Sequence, residues 1–205
     1  MEMAQAHRRL GCEVTLVEAG MLLCREEPEQ VAILANALRA EGIRMLEGQP
    51  VTRISGAVGA IDLTLGDGSR IAGTHLLIAA GRRAALAGMG LDEAGVAHTL
   101  QGVTVDDRLR STNRRVYAIG DAAGGAQFTH VAAWHAGLVL RRALFGLPAH
   151  ARHPAIPRAV YTDPELAQVG LTEAEARARH GAALSVHRAD FGHNDRALTD
   201  GRTSG

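Results

Sequence analysis

The first 46 residues alternate between helical and strand-like periods, and this order constrains the fold more than anything else in the chain. Residues 1–10 carry a helical pattern that stops at Gly11, with Arg8 and Arg9 in the last turn, where positive charge meets the negative end of the helix. Residues 13–18 are β-branched and apolar and close on Glu18. Pro28 opens a second helix at its tolerated first position. Val31, Leu34, Ala35 and Leu38 fall on one face of that helix, and Gly42 ends it. Residues 43–46 form a further buried strand. Helix, strand, helix, strand is the order of a parallel, doubly wound sheet, so the predicted class is α/β. The chain enters this pattern at the first helix, with neither the strand nor the glycine loop that such a unit places before it.

From residue 51 the pattern shortens. Residues 61–65 and 69–72 flank Gly66-Asp67-Gly68 and predict a hairpin. Residues 75–80 form another apolar run, and 84–102 a Gly- and Ala-rich crossing segment. Residues 103–105 and 116–119 read as strands around an Arg-rich turn, and 129–145 as a helix closed by Gly146 and Pro148. Pro148, Pro154 and Pro157 place a boundary at 147–157. Beyond it come a strand at 159–161, a Thr172/Glu175 capping box opening a helix to about Arg179, and a strand beginning at 184–187.

Composition mostly excludes. Twenty-two basic residues balance 22 acidic ones with no basic stripe, which argues against a nucleic-acid partner. Every basic residue is Arg, so a Schiff-base lysine and a phosphate loop ending in Gly-Lys-Ser/Thr are ruled out. Cys12 and Cys24 are too far apart in sequence for a short-spaced redox pair, and they suit a reduced, cytoplasmic chain. No run approaches the 18 or so apolar residues of a membrane span. His130 and His135, five apart, would lie on different helix faces, and His150 and His153 have no carboxylate or thiolate nearby in sequence, so no metal site is expected.

Two acidic residues stand out. In 116–125 an apolar run ends at Gly120, Asp121 follows at once, and small residues lead into a helix. A lone carboxylate there suits ribose-type hydroxyls and the following helix N-terminus an electron-rich group; an ordinary strand end with an Asp N-cap fits as well. Glu18, at the end of its strand, matches the acidic residue that accepts hydrogen bonds from an adenosine ribose about 20 residues after a glycine fingerprint. An exposed strand-end Glu is the ordinary alternative. As a ribose contact, Glu18 favours NAD over NADP, because a 2′-phosphate would meet a like charge.

Residues 1–18, the run Leu77-Ile78-Ala79-Ala80-Gly81-Arg82-Arg83, Tyr117 to Asp121 with Thr129-His130, and 156–165 with 169–173 together resemble the pyridine nucleotide-disulfide oxidoreductases, flavoproteins that include the mercuric reductases and dihydrolipoamide dehydrogenases. The resemblance implies a partial FAD/NAD(P)-binding doubly wound fold followed by the start of an α+β dimerisation domain. It implies a nucleotide-binding domain at 1–96, the C-terminal part of an FAD domain at 97–150, and the beginning of the dimerisation domain at 151–205. By the same resemblance Asp121, after Gly120, would bind the ribityl hydroxyls of FAD, and Gln127, Phe128, Thr129 and His130 would form the helix start facing the flavin. Glu18 would hold the NAD ribose, Val51 and Gly81 would line the nicotinamide-nucleotide cleft, and Glu2 would sit near nicotinamide and flavin, without the family's lysine partner.

Ala80 and Arg83-Ala84-Ala85 depart from the family's Ala-Thr-Gly-Arg and Arg-Pro-Asn patterns. The tail 195–205 is closest to mercuric-reductase-like members, which often use NADPH, against the preference of Glu18. The expected activity is electron transfer from NAD(P)H through FAD to a disulfide or metal ion, in a homodimer. The family's redox disulfide and both glycine loops would precede Met1, so this chain alone is expected to be colourless and inactive, with no catalytic residue of its own. The contrasting expectation is a non-enzymatic module that binds a partner through incomplete sheet edges.

Overall fold

The computed structural model describes residues 1–152, 155–203 and 205, so His153, Pro154 and Ser204 lie outside it. The chain forms two compact units, one of Met1–Ile78 with Pro157–Gly205 and one of Ala79–Ile156.

In the first unit, helix α1 (Glu2–Arg9) leads to strand β1 (Thr15–Val17), helix α2 (Pro28–Ala40) and strand β2 (Arg44–Leu46). β1 and β2 pair in parallel, Thr15 with Arg44 through Val17 with Leu46, as the alternating periods require. The α2 face read from sequence is the buried one: Leu34 and Leu38 join Ile43 and Leu166 in a core against which Val14, Leu16, Val31 and Val160 pack. Strands β3 (Val51–Ala57), β4 (Ala60–Leu65) and β5 (Arg70–Gly73) make an antiparallel meander whose second turn is the predicted Gly66-Asp67-Gly68.

Strands β6 (Pro157–Val160) and β7 (Leu166–Val169) form a hairpin in the same unit. α1 is tied to this hairpin and to the end of α2. The Arg9 guanidinium meets both Glu41 oxygens at 2.6 and 3.1 Å and Asp163 Oδ2 at 3.0 Å. Gln5 donates to Glu41 Oε1 at 2.8 Å and to the Asp163 carbonyl at 2.6 Å, while its own oxygen accepts from the Asp163 N–H. The hydrogen bond from Arg9 is the main reason the Glu41 carboxyl lies below its usual range.

Helix α4 (Glu173–His180) buries no residue, so its ends must hold it. The Glu175 N–H donates to Thr172 Oγ1 at 3.2 Å and the Thr172 N–H donates to Glu175 Oε2 at 2.8 Å, which is the capping box read from sequence. Thr172→Ala is expected to destabilise this helix by about 1 kcal/mol, seen as faster amide exchange across Glu173–His180. Unchanged exchange would show that the cap does not hold the helix.

The second unit contains helix α3 (Thr129–Phe145), closed by Gly146 as predicted, and a 3₁₀ turn at Gly120–Ala123. Its small core is Val96, Val103 and Ala118, flanked by Leu86, Leu91, Val105, Val116 and Ala123.

Four predicted strands are corrected. Residues 75–80 form none, and Leu77 and Ile78 are exposed, because no described strand lies alongside to complete a ladder. Residues 103–105 and 116–119 make only the single bridges His98↔Val103, Val105↔Ser111 and Arg110↔Tyr117. Between them the Asp106 carboxylate accepts from the Arg108 and Arg110 N–H groups and curls the chain into a tight turn. Residues 184–187 likewise lack a strand partner among the described residues. The chain there forms 3₁₀ turns and a short helix, α5 (Asp195–Thr199), capped by the Asn194 side chain, which sequence reasoning missed along with β7.

Residues 149–151, at the start of the predicted boundary, are tied within the second unit. Ala149 is buried, the Ala151 N–H donates to the Asp107 carbonyl at 2.6 Å, and His150 Nδ1 lies 3.1 Å from Asp107 Oδ2.

Candidate functional site

The Asp121 turn is built by close packing on α3. Gly120 is buried with φ +54°, and a Cβ there would stand 2.7 Å from the Ala132 Cβ, so glycine lets the turn lie directly on the helix. The Gly120 N–H donates to His135 Nδ1 at 3.1 Å in a buried hydrogen bond. Behind the turn, the Val103 N–H donates to the Ala122 carbonyl at 2.8 Å. A Cβ on Gly102 would run into the Gly124 backbone and come within 2.9 Å of the Ala122 oxygen. Tyr117, just ahead of the turn, takes a hydrogen bond from Arg110 at 2.9 Å, which holds its phenol below its usual range.

This scaffold presents Asp121 outward. Among the described residues nothing hydrogen-bonds to its exposed carboxylate, so it does not serve as the N-cap that the ordinary reading allowed. α3 starts at Thr129 after Phe128, which has no side-chain acceptor for the first-turn N–H groups. Phe128 and His130 stack with ring centroids 5.3 Å apart, and Arg82 donates to the Gln127 carbonyl at 3.3 Å, joining the Gly81 segment to the start of α3. Gly81, at φ +115°, has open space where a side chain would project. A free acceptor beside an uncapped helix N-terminus fits a group that carries both hydroxyls and an electron-rich face, as a flavin does.

Of the sequence-derived site residues, Gly81, Gly120, Asp121, Gln127, Phe128, Thr129 and His130 therefore lie in the second unit, while Glu2, Glu18 and Val51 lie in the first. Glu18 follows β1 at the carboxyl edge of the parallel pair, where ligands sit in open α/β sheets. Its Oε1 accepts from the Gly20 N–H at 2.9 Å. Glu2 Oε1 accepts from the Tyr161 N–H at 2.7 Å, on the β6–β7 hairpin. Val51 is exposed at the start of β3.

His135 was not singled out as part of this turn. Its sequence signal is the i, i+4 spacing from Val131, which puts both on the buried face of α3, while His130 is exposed on another. Among the described residues, no group of three or more His, Cys, Asp or Glu side chains gathers as a metal site requires. None of the described helices is long and apolar enough to cross a membrane.

Known proteins of one kind match this chain throughout. A family model described as pyridine nucleotide-disulphide oxidoreductase matches residues 1–136, and that family's dimerisation-domain model matches residues 156–205. A mercuric reductase of Streptomyces lividans is 38% identical over 209 residues, covering all of this chain and 44% of the relative. A dihydrolipoyl dehydrogenase of Bacillus subtilis is 29% identical over 206 residues, again covering all of this chain and 44% of the relative. The HOCl-induced flavoprotein disulfide reductase RclA of Escherichia coli superimposes with a TM-score of 0.88 at 30% identity, over 99% of this chain and 47% of that one. The chain thus spans less than half the length of these relatives.

Proposed function

This chain belongs to the pyridine nucleotide-disulphide oxidoreductase family, and from that premise we propose that the protein carrying it passes electrons from NAD(P)H through FAD to a disulfide or a metal-ion substrate. The observation that carries this reading is the outward-facing Asp121 carboxylate, unpaired among the described residues, beside the uncapped start of α3. When bound, a flavin relays the two electrons of a hydride donor to a disulfide or metal-ion acceptor.

The residues of this chain bind and orient. Asp121 accepts hydrogen bonds from the polyol hydroxyls of the cofactor, and Gly120 keeps its backbone close to α3. The α3 N-terminus at residues 127–130 stabilises negative charge on the electron-rich ring. Glu18 accepts from the nicotinamide-nucleotide ribose, Val51 in the first unit and Gly81 in the second each offer open backbone to the nucleotide, and Glu2 keeps one carboxylate oxygen for the nicotinamide side. The Glu18 charge selects NAD over NADP: two unit charges about 4 Å apart repel by about 4 kcal/mol at a surface-like dielectric, before solvent and nearby Arg25 reduce it. We assign 1–96 to nucleotide binding, 97–150 to the flavin side and 151–205 to dimerisation, in a cytoplasmic homodimer that keeps Cys12 and Cys24 as thiols.

Titrating the ¹⁵N-labelled chain with FAD, NADH and NADPH tests the reading even where affinity is low. FAD is expected to move the amides of Gly120–Ala123 and of residues 128–131, and NADH those of residues 18–20. Asp121→Asn should weaken FAD binding roughly 10- to 150-fold, as expected for loss of a hydrogen bond to a charged group worth about 1.5–3 kcal/mol. Glu18→Gln should narrow the NADH-over-NADPH preference. Shifts confined to other amides, or an Asp121→Asn chain with wild-type affinity, would sink the assignment.

A further inference from the structure

We propose that His135 is the positioning residue of the Asp121 turn: as a neutral imidazole carrying its proton on Nε2, it accepts the Gly120 N–H and holds the turn against α3. That this governs cofactor binding rests on the reading of Asp121 given above; the positioning itself does not.

The geometry requires one protonation state. The Gly120 N–H points at His135 Nδ1 at 3.1 Å, and both groups are buried. A backbone N–H only donates, so Nδ1 must present its lone pair and the ring proton must sit on Nε2. Imidazolium would set two donors facing each other and leave a buried N–H without an acceptor. Among the described residues no other group accepts the Gly120 N–H. Gly120 has no side chain, Ala132 fills the space its Cβ would occupy, and the preceding Ile119 makes no side-chain cap bond.

Among the described residues, nothing near His135 favours its charged form. The turn packed on α3 contributes one titratable group, Asp121, whose carboxylate is exposed. On α3 the other titratable side chains are His130, exposed and stacked on Phe128, and Arg141 and Arg142 further along. Tyr117, on the strand-like run before the turn, is engaged by Arg110. Trp134 lies against the imidazole with centroids 5.1 Å apart. Burial alone pushes the imidazole below its usual 6.5. The sign follows: above pH 6.5 the hold is complete, and as pH falls below 6.5 the unfolded chain takes up the proton first, so stability is lost until the folded imidazole also protonates and releases the turn.

Long-range ¹H–¹⁵N correlation on the labelled chain reads the tautomer, and amide exchange reads the hold. At pH 7.5 His135 should show the Nε2–H tautomer, with the Gly120 amide protected. That protection, corrected for intrinsic exchange, should fall on acidification. In His135→Leu the Gly120 amide should exchange at least tenfold faster at every pH, with the α3 amides as the control for folding. In His135→Asn, whose side-chain oxygen can take the place of Nδ1, protection should persist and no longer depend on pH. An Nδ1–H tautomer at pH 7.5, or equal Gly120 exchange in wild type and His135→Leu, overturns the proposal; should His135→Leu not fold, the wild-type pH series and His135→Asn still decide it. FAD affinity is measured separately. An Asp121→Asn chain with unchanged affinity overturns the flavin reading while Gly120 exchange still reports on His135.

Discussion

Replacing Leu38 by alanine is expected to lower the unfolding free energy by about 2–5 kcal/mol, a range set by how far the site collapses around the lost atoms. Leu38 is fully enclosed at 0% exposure, and Leu34, Ile43 and Leu166 around it are each below 5%. These residues come from α2, the residue leading into β2, and β7, so the cavity would open where the parallel pair meets the hairpin of the dimerisation-like segment. Folded domains hold about 5–15 kcal/mol in total, so the loss would be a large share. The charged ties across the same junction should matter far less. The Arg9 side chain is 48% exposed and that of Asp163 39%, and exposed ion pairs contribute about 0–1 kcal/mol. Arg9→Ala is therefore expected to cost well under half of what Leu38→Ala costs. Urea unfolding followed by far-ultraviolet circular dichroism ranks the two, with Leu38→Met as the volume-conserving control, expected within about 1.5 kcal/mol of wild type. A Leu38→Ala midpoint no lower than that of Arg9→Ala would mean that charge, not burial, holds the junction.

The elements legible from sequence are those whose causes are local. α2 shows its proline start and a face spaced at 31, 34, 35 and 38, and the spacing put the right side chains in the core because helical periodicity follows from the backbone alone. α3 and the Thr172 box were legible for the same reason, through a glycine stop and a side-chain-to-backbone exchange spanning three residues. The strands that were predicted but did not form depend on partners. An apolar run such as 75–80 becomes a strand only beside another, and no local signal says whether one is present. The candidate site divides likewise. Asp121 showed itself as a carboxylate at the end of an apolar run, but whether its oxygens were used as a cap depended on backbone geometry, which leaves them free among the described residues. His135 stayed hidden because its partner is a backbone N–H 15 residues earlier, and a peptide group has no sequence signature.

Gly120→Ala should expose how tightly that turn is fitted. Two separate costs are expected. At φ +54° an L-residue pays roughly 1–2 kcal/mol that glycine does not. The new Cβ would stand 2.7 Å from the Ala132 Cβ and 3.3 Å from its Cα, an overpacking penalty of about 1–3 kcal/mol. Together they predict a loss of about 2–5 kcal/mol in the unit of Ala79–Ile156, read from the fluorescence of Trp134, the only tryptophan. The two costs can be separated because only the second involves Ala132. Ala132→Gly alone should destabilise α3 by about 1 kcal/mol through helix propensity. Combined with Gly120→Ala it removes the Cβ–Cβ clash, so the double variant should be more stable than the sum of the single changes by about 1–3 kcal/mol, leaving the backbone cost in place. Additive losses would place the whole effect in the backbone conformation of residue 120, and the close seat of the turn on α3 would then contribute nothing to holding Asp121.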